Sequence, residues 1–141
     1  MNLAQSPLRD ANRFRVLIVE DEALVSLEMQ IILVGAGFDV VGVTSSLAGA
    51  VQMASIFAPQ LAIVDVNLAN GDNGLDVAVD LKKLGIPALF SSGNCPDDPD
   101  RVLAIGCLHK PFDDQSLTRA VQTAQALIEQ AGLSASQDRP F

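Results

Sequence analysis

The chain has 141 residues, a length that fits one domain, and 49% of them are hydrophobic, enough to build a core without staples. Its charge is one-sided: 9 Lys plus Arg against 17 Asp plus Glu give a net charge of −8. Such a surface repels phosphate backbones and anionic lipid, so neither nucleic acid nor a membrane surface is an expected partner.

Residues 1–13 are polar and lack the apolar core of a secretory signal. The longest uncharged apolar stretch near them, 29–38, is too short to span a bilayer. A soluble, cytoplasmic protein is expected. The two cysteines, Cys95 and Cys107, lie twelve apart with no Cys or His at metal spacing, so two reduced thiols are expected. One domain is expected over 15–130, with an N-terminal extension over 1–14 and a C-terminal tail over 131–141.

Short solid apolar runs alternate with longer amphipathic ones. Val16-Leu17-Ile18-Val19 suits a strand buried on both faces, as in parallel sheets. A helix follows over 23–34, with Leu24, Leu27, Ile31 and Val34 at steps of three and four, stopped by Gly35 and Gly37. Residues 40–43 read as the second strand. Ser45 or Ser46 caps a helix that ends near Phe57, before Pro59. Leu61-Ala62-Ile63-Val64 is the third strand, and 67–73 is loop by composition. A helix over 74–84 ends at Gly85, and 87–90 is the fourth strand. Residues 94–100, with two prolines and three aspartates, read as loop or a poor helix start. A turn or two of helix is expected over 101–105, then a short fifth strand at Cys107-Leu108. Asp113 caps a last helix with Leu117, Val121, Ala124 and Ile128 on one stripe, frayed from about Gly132. Five strands alternating with five helices imply an α/β sheet, mostly or wholly parallel, with right-handed crossovers.

Acidic residues stand where strands end. Glu20 and Asp21 follow the first strand and Asp65 follows the third. In open α/β sheets ligands bind outside the carboxyl ends of strands, where strand order reverses. In the order 2-1-3-4-5 that point lies between strands one and three, so the three carboxylates converge there. Like charges cannot crowd together uncompensated. A hard divalent cation suits such oxygens, and Mg²⁺ suits a site with few carboxylates. Lys110, after the fifth strand, is the other positive candidate, and Ser92 places a hydroxyl on the same rim.

The set Glu20-Asp21, Asp65, Ser92 and Lys110-Pro111-Phe112, each at a strand end, resembles the receiver domains of two-component response regulators, over about residues 15–128. No single piece is specific; the order and spacing of all of them are. The resemblance implies a flavodoxin-like (CheY-like) doubly wound five-stranded parallel sheet of order 2-1-3-4-5. It implies that Asp65 attacks a phosphohistidine and becomes an aspartyl phosphate. Asp21 and Asp65 would hold Mg²⁺ directly, Glu20 directly or through water, and the Asn67 carbonyl would complete the shell. Lys110 would pair with one phosphoryl oxygen and Ser92 would hydrogen-bond another. Gly93 would leave the phosphoryl group a path in, and Lys110-Pro111 is a candidate cis bond. Asn67 and Asn94 stand where the family tunes hydrolysis of the phosphoryl group.

Two departures stand out. Cys107 occupies the strand-five position usually held by an aromatic residue that swings inward on signalling. Phe90-Ser91-Ser92-Gly93 is similar to a subgroup of receivers found with a distinct branch of sensor kinases in α-proteobacteria. In place of the aromatic switch, loop 94–100 is expected to order on phosphorylation.

With little chain left after about residue 128, a stand-alone regulator without enzyme activity is expected, monomeric or weakly dimeric. Its partners would be a histidine kinase, a histidine phosphotransfer protein or both, met through helix one near Leu24 and Leu27 or through the last helix. The alternative is a degenerate receiver, a docking module independent of phosphorylation. A phosphatase with an aspartyl nucleophile needs a second carboxylate where Asn67 stands. A flavodoxin-like electron carrier would have its flavin phosphate repelled by Glu20-Asp21-Glu22.

Overall fold

The structure, a computed structural model, describes residues 12–68, 71–97 and 103–138. The elements follow as β1 (Arg15–Val19), α1 (Ala23–Gly35), β2 (Asp39–Thr44), α2 (Leu47–Phe57), β3 (Leu61–Asp65), α3 (Gly74–Lys83), β4 (Ala88–Ser92), β5 (Cys107–His109) and α4 (Asp114–Asp138). The strands form one sheet of order β2-β1-β3-β4-β5 with every pairing parallel, as expected.

The solid apolar runs have their cause in the two layers of helices. Alternate strand residues bury on opposite faces. Leu17, Val19, Val64, Ala88 and Phe90 pack with Ala50 and Ala54 of α2 and Val77, Ala78 and Leu81 of α3. Val16, Ile18, Leu61, Ile63 and Leu89 pack with Met29 and Leu33 of α1 and Leu117, Val121 and Ala124 of α4.

Helix ends follow local chemistry. The Ser46 hydroxyl accepts the Gly49 N–H at 3.0 Å, and Asn73 Oδ1 accepts the Leu75 N–H at 2.7 Å. Asp113 Oδ1 accepts the Ser116 N–H at 2.8 Å while Ser116 Oγ accepts the Asp113 N–H at 2.9 Å, a reciprocal cap for α4. Ala58, at φ 46°, turns the chain out of α2 before Pro59, and Gly85, at φ 80°, ends the third helix.

Three expectations are revised. The described residues contain four α-helices. Of the turn or two of helix expected at 101–105, the first two residues lie outside the described ones, Leu103 is 3₁₀-helical, and 104 and 105 form a bend. Helix α4 continues through Gly132 to Asp138, because one interior glycine costs a helix only about 1 kcal/mol and no proline follows until 140. In α1, the stripe that reveals the helix is not the face that packs. Leu24 is 83% exposed, and Leu27, Ile31 and Val34 are also exposed, while Ser26, Met29 and Leu33 are buried. The helix is apolar on two sides, and only contact with β2 and α4 decides which side is inner.

Met29→Ala should therefore cost about 2–5 kcal/mol in urea unfolding, and Leu24→Ala should stay within about 0.5 kcal/mol. The reverse ranking would put the wrong face of α1 inward.

Candidate functional site

Strands β1 and β3 are neighbours in register, Val19 opposite Val64, so the residues after Val19 and the last residue of β3 meet on one rim. Ligand atoms of Glu20, Asp21 and Asp65 all lie within 4.8 Å of one another. Glu20 is 3% and Asp65 5% exposed. Backbone donors fix both carboxylates. The Glu22 N–H donates to Glu20 Oε2 at 3.2 Å, and the Asn67 N–H donates to Asp65 Oδ1 at 3.0 Å.

Lys110 enters from the end of β5, where its N–H donates to the Ser92 carbonyl at 2.9 Å and extends the β4–β5 pairing. Its Nζ lies 2.8 Å from Glu20 Oε1, 3.4 Å from Asp65 Oδ2 and 3.8 Å from Glu22 Oε1. The Lys110-Pro111 bond is cis, as expected. His109 is exposed.

The electrostatics follow from this crowding. Burial pushes the Glu20 carboxyl up from 4.5 to about 7; the Lys110 ammonium opposes that rise and Asp65 adds to it. Burial works against the Lys110 ammonium, but its hydrogen bond to Glu20 and the charges of Glu20 and Asp65 outweigh it and hold the pKa above its ordinary value. One cation faces two buried carboxylates and more acid on the rim. The donor set, all oxygens with three carboxylates converging, fits a hard divalent cation.

Ser92 is buried on the same rim but its hydroxyl is turned to its own loop. Ser92 Oγ accepts the Asn94 N–H at 3.0 Å and donates to the Asn94 carbonyl at 3.0 Å. Asn67 and Asn94 are both exposed at the rim. A Cβ at Gly93 would meet nothing within 4 Å, so the space beside it is open.

The expectation of two reduced thiols is corrected. Cys95 and Cys107 are joined in a disulfide, with Cα atoms 6.1 Å apart, inside the usual bridging range. Cys107 pairs with Phe90 at the start of β5, and the loop leaving β4 brings Cys95 back over it. A spacing of twelve in sequence carries no sign of this.

Two supporting residues were not legible as such. A Cβ on Gly74 would collide with the Asp65 carbonyl oxygen and lie 2.6 Å from Val66 Cα, so only glycine lets α3 start against the end of β3. Its one sequence signal is a glycine directly after the Asn73 cap. Asp72 Oδ2 accepts the Leu47 N–H at 2.9 Å and ties the loop after β3 to the start of α2.

Comparison with known proteins points to one family. The response regulator receiver domain family matches residues 16–122. The phyllosphere-induced regulator PhyR of Methylorubrum extorquens is 31% identical over 117 residues, covering 77% of this chain and 42% of that protein. The chain thus spans about half the length, or less, of the curated relatives it matches. Among solved structures, the signal receiver domain of a modulated diguanylate cyclase from Desulfovibrio desulfuricans G20 is similar with a TM-score of 0.75 at 29% identity, covering 85% of this chain and 99% of that one. The response regulator PhyR from Brucella abortus shares the fold with a TM-score of 0.78 at 23% identity, covering 90% of this chain and 54% of that one. With its sheet order, its acidic rim and this match over most of its length, the chain belongs to the response regulator receiver domain family.

Proposed function

We propose that this receiver is a working phosphoacceptor, taking a phosphoryl group from a histidine kinase or a histidine phosphotransfer protein onto Asp65. One observation carries the reading: a buried Asp65 carboxylate, fixed through Oδ1 by the Asn67 N–H, keeps Oδ2 toward Lys110 and beside Glu20 and Asp21. In the reaction an Asp65 oxygen attacks phosphorus and the phosphorus–nitrogen bond of the phosphohistidine breaks. The electron pair stays on the imidazole nitrogen, which takes up a proton.

Glu20, Asp21, Asp65 and the Asn67 carbonyl would hold Mg²⁺, which when bound neutralises phosphoryl oxygens. Lys110 has to ease off Glu20 to pair with a phosphoryl oxygen. Ser92 has to leave Asn94 to reach another. Asn67 and Asn94, exposed on the rim, would orient the water that removes the group. The phosphoryl acceptor is the chain's own Asp65 rather than a released product, so the chain acts as a signalling protein and not as an enzyme. A cytoplasmic location fits a kinase partner, and no described helix is long and apolar enough to cross a membrane.

The exposed apolar stripe Leu24, Leu27 and Ile31 begins just after the rim, so a kinase or phosphotransfer helix lying on it could present its phosphohistidine to Asp65. The same geometry disfavours a degenerate docking module, which has no need of a three-carboxylate cluster with two of its members buried.

Intact mass after incubation with a small phosphodonor and Mg²⁺ should show one phosphoryl adduct, absent in Asp65→Asn and with chelator. No adduct on a protein shown to bind Mg²⁺ would favour the docking module.

A stability test follows from Glu20. Its native carboxyl holds a proton up to about pH 7, whereas the unfolded one loses it near 4.5, so this stabilisation is complete below 4.5 and is lost as pH rises through 7. Asp113, held below its ordinary value by the Ser116 N–H, acts in the opposite sense and only at lower pH. Metal-free protein should therefore melt lower at pH 8 than at pH 5, by roughly 2 kcal/mol of stability. Glu20→Gln should flatten the profile, and Mg²⁺ should restore the wild type at pH 8. A flat wild-type profile would mean that Glu20 is not crowded.

Leu27→Glu should cut phosphotransfer from the kinase by roughly tenfold or more while leaving acceptance from a small phosphodonor unchanged. Equal losses with both donors would remove α1 from the docking surface.

A further inference from the structure

We propose that Cys95 and Cys107 form a reversible thiol–disulfide site that, when oxidised, holds the Ser92 hydroxyl on Asn94 and away from the phosphoryl group. The coupling to signalling rests on the phosphoacceptor reading above; the redox site itself does not.

Position makes the pair consequential. Only Gly93 and Asn94 separate Ser92 from Cys95, and only Leu108 and His109 separate Cys107 from Lys110. The bond therefore joins the two strand-end segments that carry the rim hydroxyl and the rim ammonium. It also occupies the start of β5, opposite Phe90, where β4 and β5 are already paired. The loop bearing Asn94 is thus clamped to the sheet edge one residue from the atoms that hold Ser92 Oγ.

Chemistry permits the cycle. Both cysteines are half-buried beside exposed Gly93 and Asn94, so small reagents can reach them. In the oxidising direction a peroxide is the two-electron acceptor. One thiolate attacks the peroxide oxygen, the O–O bond breaks, and a sulfenic acid forms with release of one water. The second thiolate attacks the sulfenic sulfur, the S–S bond forms, and a second water leaves, so two thiols and one peroxide give one disulfide and two waters. In the reducing direction a low-molecular-weight thiol attacks one sulfur and a second thiol resolves the mixed disulfide, leaving both cysteines reduced. Disulfides in reducing compartments are of this cycling, sensing kind.

Reduction frees the loop over 93–95 from β5, and Ser92 can then exchange Asn94 for a phosphoryl oxygen. Oxidation withholds that exchange. Asp65 can still be charged chemically, but the loop does not respond.

The test compares the full chain after hydrogen peroxide with the same chain after dithiothreitol. Intact mass with thiol alkylation should show the oxidised monomer about 2 Da lighter and unalkylated, and Cys95→Ser should not make this change. Two alkylatable thiols after peroxide, or only intermolecular dimers, would overturn the proposal. Without any phosphodonor, amide hydrogen exchange at Asn94 should be roughly tenfold faster in the reduced protein, the equivalent of one hydrogen bond. Equal exchange would overturn it as well. With Mg²⁺ and a small phosphodonor, exchange over 93–97 should change on phosphorylation in the reduced protein and in peroxide-treated Cys95→Ser, but not in the oxidised wild type. The same change in both redox states would refute the coupling. No adduct in either state sinks the phosphoacceptor reading and the coupling with it, while the donor-free exchange difference still decides whether the pair holds Ser92.

Discussion

The rim of the sheet depends on an electrostatic conflict that the topology creates. Parallel neighbours β1 and β3 end at the same level, so Glu20, Asp21 and Asp65 cannot avoid one another. Leaving buried carboxylates uncompensated costs several kcal/mol per ion. Lys110, 2.8 Å from Glu20 and 3.4 Å from Asp65, is the charge that makes the cluster tolerable without metal. That arrangement is also a poised one. On the phosphoacceptor reading, the Lys110 ammonium shifts off Glu20 when a divalent cation or a phosphoryl group offers a better match of charge.

The sheet explains why the conflict persists rather than relaxing. Val16 to Val19 and Leu61 to Val64 are buried on both faces, which fixes their register and with it the height at which Glu20 and Asp65 emerge. Gly74 adds a second restraint, since α3 starts directly on the Asp65 backbone and leaves it no room to retreat. Stability from the core is thus spent on holding charges together, a common trade at functional sites.

The two ends of the rim differ in freedom. The β1–β3 end is set by strand pairing and by backbone N–H groups that hold the Glu20 and Asp65 carboxylates. At the β4–β5 end, a short strand, a loop and a disulfide carry Ser92 and Lys110. There the Cys95–Cys107 bond ties the loop after β4 to the start of β5.

The sequence by itself determined the class of fold and the members of the rim. Solid apolar runs mean burial on both faces, acidic residues directly after two of them mean a carboxyl-end cluster, and caps at Ser46 and Asp113 mark helix starts through local hydrogen bonds. These signals are local, so they survive in a string of letters. Tertiary structure alone decided three matters. It turned Met29 inward and left Leu24 outside, because a helix apolar on two sides takes its direction from what it packs on. It made Gly74 indispensable through a backbone approach between segments separated by a loop. It brought Cys95 onto Cys107, because the distance between two residues across a loop is set by where the loop returns and not by how many residues it contains.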